Sequence, residues 1–79
     1  MKIKVLYFAQ IAEKTGVASE EFEFETSLES DDLIKVIFGK YPVLRNMTFK
    51  IAVDHHIINA PTALNQNSEV ALLPPFAGG

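Results

Sequence analysis

The last eight residues of the chain, 72–79, read Leu-Leu-Pro-Pro-Phe-Ala-Gly-Gly. Pro74 and Pro75 cannot donate ladder hydrogen bonds, so a strand that reaches Leu73 must stop there. The Pro-Pro pair also stiffens the exit into an extended form. From Pro75 to Gly79 the chain spans roughly 17 Å at about 3.4 Å per residue. Ala77, Gly78 and Gly79 carry little or no side chain, so the segment can thread a channel closed to larger residues. Its tip, the Gly79 α-carboxylate, would then be delivered into another protein's active site. Two closing glycines arise by chance in roughly one chain in two hundred.

A carboxylate is a poor electrophile and needs a leaving group before a nucleophile can attack it. Adenylation by ATP supplies one, as a mixed anhydride with AMP. Sulfide or a persulfide donor would then give a thiocarboxylate, and an amine would give an amide. The sequence holds no phosphate-cradling glycine loop, so ATP is expected on a separate activating enzyme. The chain has no cysteine. Disulfides, thiolate metal sites and cysteine nucleophiles are thereby excluded, and any sulfur carried would sit on the Gly79 carboxyl.

Other candidates for chemistry are weaker. His55 and His56 are adjacent, so on a strand they point to opposite faces and do not share a metal. They read as an exposed turn. The acids have no catalytic spacing. Tyr7, Phe8 and Phe49 could form an exposed patch, with core packing expected for at least two of them. The apolar partner surface should lie at the tail root, with Phe8, Leu73 and Phe76 as candidates.

Seventy-nine residues, 48% hydrophobic and 22% charged, fit one folded domain, 1–79, with a flexible tail over 75–79. So short a chain suits a carrier, a binding module or a subunit better than an enzyme with its own deep cleft. The net charge of −3 comes with scattered bases and no basic stripe, which disfavours nucleic acid. No apolar run approaches the roughly 20 residues of a membrane span. The N-terminus alternates like a strand and lacks a signal peptide's core, so a cytoplasmic location is expected.

The elements that must hold this tail follow from periodicity. Residues 2–10 alternate as a strand with Ile3, Val5 and Tyr7 on one face. The other face turns apolar from Leu6 to Phe8. Residues 11–15 suggest a short helical turn stopped by Gly16. Residues 20–26 alternate again, with Phe22 and Phe24 inward. The main helix is predicted over 27–41, capped by Ser27 or Ser30, with Asp31 and Asp32 in its first turn. Its apolar stripe is read as Leu33, Val36, Ile37 and Tyr41, and Pro42 ends it. Residues 49–53 and 56–58 form two strands around Asp54-His55. Residues 60–64 are a loop or single turn, Asn67-Ser68 is a turn, and 69–73 is a last strand. That strand would be central if it paired in parallel with the first. The arrangement is an α+β β-grasp, or ubiquitin-like, fold: a mixed five-stranded sheet with one main helix on one face.

The stretches KVLYFAQIAE (4–13) and EVALLPPFAGG (69–79), with the length, resemble the small, sulfur-carrier subunit of molybdopterin synthase. The resemblance covers essentially the whole chain. Its most specific pieces are Phe8-Ala9-Gln10 and Pro74-Pro75 followed by Gly78-Gly79. It departs from the family's usual residues at Asp54, Asn67-Ser68 and Leu72-Leu73, none of them at the reactive end. The resemblance implies that Gly79 is adenylated by an ATP-using activating enzyme and converted to a thiocarboxylate. Gly78, Ala77, Phe76 and Pro75 would guide it into the large, catalytic subunit. There the sulfur would pass to cyclic pyranopterin monophosphate, within a heterotetramer. No stably bound cofactor and no metal are implied. The alternatives are a sulfur carrier for thiamine thiazole or tRNA thiolation, a ubiquitin-like protein modifier, and an interaction module with an inert tail.

Overall fold

The N-terminal alternation becomes strand β1, Lys2–Tyr7, with Ile3, Val5 and Tyr7 buried and Lys2 and Lys4 exposed. This computed structural model describes residues 1–76. The strand ends three residues before the predicted Gln10 because the chain turns sharply at Ala9. Helix α1, Gln10–Thr15, follows and buries Ile11. Gly16 stops it as predicted, in the left-handed region at φ 81°, with its amide on the Ala12 carbonyl. Strand β2, Ser19–Glu23, returns antiparallel to β1 with Phe22 opposite Ile3. The Phe22 and Phe24 rings stack 6.4 Å apart at the rim of the core, the inward side predicted for them.

Helix α2, Ser30–Lys40, begins later than predicted, and its N-cap is Glu29 rather than a serine. The Glu29 amide donates to Asp32 Oδ2 at 2.9 Å, half of a reciprocal capping box. Ser30 is buried and has another task. Its Oγ accepts the Thr62 amide at 3.0 Å, and its own amide donates to the Thr62 carbonyl at 2.8 Å. That exchange ties the 59–68 loop to the helix start. Leu33 and Ile37 are fully buried, but Val36, read as part of the same stripe, is exposed. The helix is rotated so that Ile34 and Phe38 pack at the edge of the core instead. Pro42 ends α2 and opens a 3-10 segment, Pro42–Asn46, that buries Leu44. The sequence patterns did not reveal this segment, since five residues are too few to show a period.

Strands β3, Lys50–Val53, and β4, His56–Ile58, form an antiparallel hairpin. Asp54 and His55 both have positive φ, 48° and 73°, which is type I′ geometry. Strand β5, Glu69–Leu73, lies between β1 and β3, parallel to the first and antiparallel to the second. The sheet order is β2-β1-β5-β3-β4. Val70 and Leu72 are fully buried in this central strand, as the parallel pairing requires. With α2 on one face of a mixed five-stranded sheet, the fold is the β-grasp. No helix among the described residues is long and apolar enough to cross a membrane.

Candidate functional site at the tail root

Everything near the exit of β5 is built by the three central strands. β5 ends at Leu73, Pro74 is buried, and Pro75 and Phe76 lie exposed in a turn. Phe76 is 74% exposed and free to meet a partner. Ala77, Gly78 and Gly79, the predicted guide and reactive residue, lie outside the described residues. The structure therefore speaks to the root of the tail and to the surface around it.

That surface is the sheet face opposite α2. Strand alternation puts Leu6 and Phe8, Ala71 and Leu73, Ala52, and Ile57 on it. Register then aligns one row across four strands: Leu6 beside Ala71, Ala71 beside Ala52, Ala52 beside Ile57. The row runs large, small, small, large. Two methyl groups flanked by two branched side chains leave a trough. Phe8 and Leu73 wall it on the tail side, and His55 and Glu69 close the far end, giving a hollow of about 360 Å³. His55 Nε2 is 3.2 Å from Glu69 Oε1, and Asp54 Oδ1 accepts the Glu69 amide at 2.9 Å, so this end is polar and hydrogen-bonded. A larger hollow of about 480 Å³ opens around β4 near Asp31, Asn59 and Pro61, away from the Phe8 wall.

Phe8 and Leu73, predicted as neighbours at the tail root, are brought together on one trough. Phe8 is 43% exposed, which is what a contact residue needs. Tyr7 is buried and Phe49 half-buried, edge-on to Phe38, so two of the three aromatics belong to packing. Ala52, Ile57 and Ala71 were not singled out in the sequence. Their signal is cross-strand register, which a single strand does not reveal. His55 lies in the exposed turn predicted for the pair, whereas His56 is exposed as the first residue of β4, paired with Val53; among the described residues no cluster of metal-ligating side chains occurs.

On the helix side, β2 is locked to α2 by a charged cluster. The Tyr7 hydroxyl donates to Glu20 Oε1 at 2.7 Å, and Lys40 Nζ lies 2.6 Å from Glu20 Oε2. Lys40 also sits over the Phe22 and Tyr41 rings, 5.6 and 5.5 Å from their centroids. Burial pulls the Glu20 carboxyl upward. Hydrogen bonds from Lys40, Tyr7 and Tyr41 outweigh it and hold the group below its ordinary value. Burial and the Glu20 contact push the Tyr7 phenol far up, so it remains a proton donor. The cluster is structural: it faces away from the trough and ties β2 to the end of α2, with Lys40 half exposed at its rim.

A profile described as the ThiS family matches residues 5–79, from mid-β1 through the final glycine. That span takes in both the strands of the trough and the whole tail. The chain belongs to the ThiS family. A curated relative from Chlamydomonas reinhardtii, a molybdopterin synthase sulfur carrier subunit, is 34% identical over 83 residues, covering 100% of both chains. Among solved structures, a candidate molybdopterin converting factor subunit 1 from Pyrococcus furiosus superposes with TM-score 0.87. It is 26% identical and covers 95% of this chain and 98% of its own. A complex of subunits 1 and 2 of molybdopterin-converting factor from Helicobacter pylori matches with TM-score 0.73, covering 100% of both chains. At 21% identity it shares the fold. In this ThiS-family chain the residues of the trough and of the tail root all lie within the span of the family likeness.

Proposed function

We propose that this chain is the sulfur-carrier subunit of a molybdopterin synthase. The observation that carries the reading is full-length similarity to sulfur carrier subunits, reaching through the Gly-Gly end. The Gly79 carboxylate attacks the α-phosphorus of ATP on an activating enzyme and expels pyrophosphate. Sulfide, or a persulfide with a reductant, attacks the acyl carbon of the resulting anhydride, and AMP leaves. The thiocarboxylate then donates its sulfur to cyclic pyranopterin monophosphate in the large subunit, and water restores the carboxylate. Among this chain's own groups, Pro74 and Pro75 end the pairing and aim the exit. Pro75, Phe76, Ala77 and Gly78 guide the tail. Phe8, Leu73 and the alanine trough seat the large subunit, their apolar surface continuing into the tail root. An apolar, concave patch with a polar end is the anatomy of a protein contact.

Extension of the chain by one residue beyond Gly79 tests this directly. The extended chain should fold with unchanged thermal stability and lose sulfur transfer. Transfer at the parent rate would exclude the insertion of the terminus into the partner. Isopeptide-linked adducts on cellular proteins, with no sulfur uptake, would instead point to the protein-modifier alternative.

A further inference from the structure

Ala9 adopts φ 52° and ψ −129°, a conformation that residues with a Cβ rarely hold. The Ile11 amide donates to the Phe8 carbonyl at 3.1 Å, so residues 8–11 form a tight turn with Ala9 at its first central position. Gln10, the second, is not among the positive-φ residues. This is the type II′ pattern, where glycine is the usual choice. A strained residue persists only where its surroundings over-determine it, and here they do. The Phe8 amide bonds the Leu72 carbonyl at 3.2 Å, the Glu13 amide bonds the Ala9 carbonyl at 3.3 Å, and Ile11 is buried in the core.

The turn solves a placement problem. Phe8 must stand on the open face beside Leu73, while Ile11, three residues on, must enter the core beneath the opposite face. A continuing strand would carry Ile11 roughly 10 Å past Phe8, beyond the end of the sheet. Folding back at Ala9 brings Ile11 in and leaves Phe8 as a wall of the trough. We propose that Ala9 is a positioning residue for partner docking: its left-handed turn aims Phe8 into the contact with the large subunit. This rests on the docking role assigned above to Phe8 and the trough.

The test is a double-substitution cycle read by calorimetric affinity for the cognate large subunit, with amide exchange at Ile11 as the report on the turn. Phe8→Ala should weaken binding about tenfold, the effect of losing an aromatic anchor. Ala9→Val, β-branched and unable to hold positive φ, should weaken it about as much and unprotect the Ile11 amide. The double variant should be no weaker than either single one, because both remove the same contact. Ala9→Gly should bind within about twofold of the parent, since glycine accepts the turn freely.

A synthetic chain with D-alanine at position 9 should melt higher and bind at least as tightly. For that residue the observed angles are the mirror image of ordinary extended backbone. This chain decides the matter even where Ala9→Val does not fold. A D-alanine chain that melts higher and binds more weakly would overturn the proposal. So would full additivity in the cycle, or parent affinity in Ala9→Val with its Ile11 amide exposed. Parent affinity in Phe8→Ala would instead overturn the docking role itself.

Discussion

Glu20 gathers Tyr7, Lys40 and Tyr41 around one carboxylate, and that placement was hidden in the sequence. The run Glu20, Glu21, Glu23, Glu25 reads as a solvated acidic face, and three of the four are indeed exposed. Glu20 differs because Lys40, twenty positions later, arrives at the end of α2 directly beside it. Its carboxyl lies lower in the folded chain than in the unfolded one. The resulting stability is therefore present above the unfolded value near 4.5 and is lost as pH falls through the lower folded value. Urea midpoints measured from about pH 7 down to pH 3 should fall in the parent once the pH drops below the unfolded value near 4.5. In Glu20→Gln the acid limb should be flatter and the neutral stability lower. Equal acid limbs would show that the cluster contributes nothing. Tyr7→Phe removes a hydrogen bond to a charged group and should destabilise by about 1.5 kcal/mol at neutral pH.

At the scale of elements, the strands were the legible part. Period-two alternation located β1, β2, β3, β4 and β5 to within a few residues, and Gly16 marked the end of α1. The helix was less legible. Serine is the better cap on propensity, yet Ser30 is drawn into the Thr62 exchange, so Glu29 caps instead. Val36 fits helical spacing as well as Ile34 does, and only the packing direction decides between them. Gly39 lies in the exposed interior of α2, and a Cβ there would meet nothing within 4 Å. Gly39→Ala should therefore stabilise by about 0.5–1 kcal/mol, seen as a raised denaturant midpoint.

The trough depends on cross-strand register more than on any one strand. Ala71→Leu should fill it from the middle of the central row, where Leu6 and Ala52 flank Ala71. Affinity for the large subunit should fall about tenfold or more with a near-parent melting curve, as expected when an interface core is blocked. Unchanged affinity would move the contact off this face.

For the molecule as a whole, a small β-grasp is a scaffold that brings a central strand out at one edge and continues it as a tail. The parallel β1–β5 pair makes this possible, because it puts the last strand in the middle of the sheet and buries Val70 and Leu72 as its anchor. The fold and the exit at Pro74 could both be read in the sequence. The depth of the trough and the strained turn at Ala9 could not, because both arise where separate strands meet. The chain should be incubated with its activating enzyme, ATP and a sulfur donor, then with the large subunit and cyclic pyranopterin monophosphate, and its C-terminal peptide followed by mass spectrometry. The carrier account predicts that sulfur replaces one oxygen of the Gly79 carboxyl in the first step and is lost, with formation of molybdopterin, in the second. A C-terminal peptide whose mass never changes, with an activating enzyme shown to bind the chain, would contradict it.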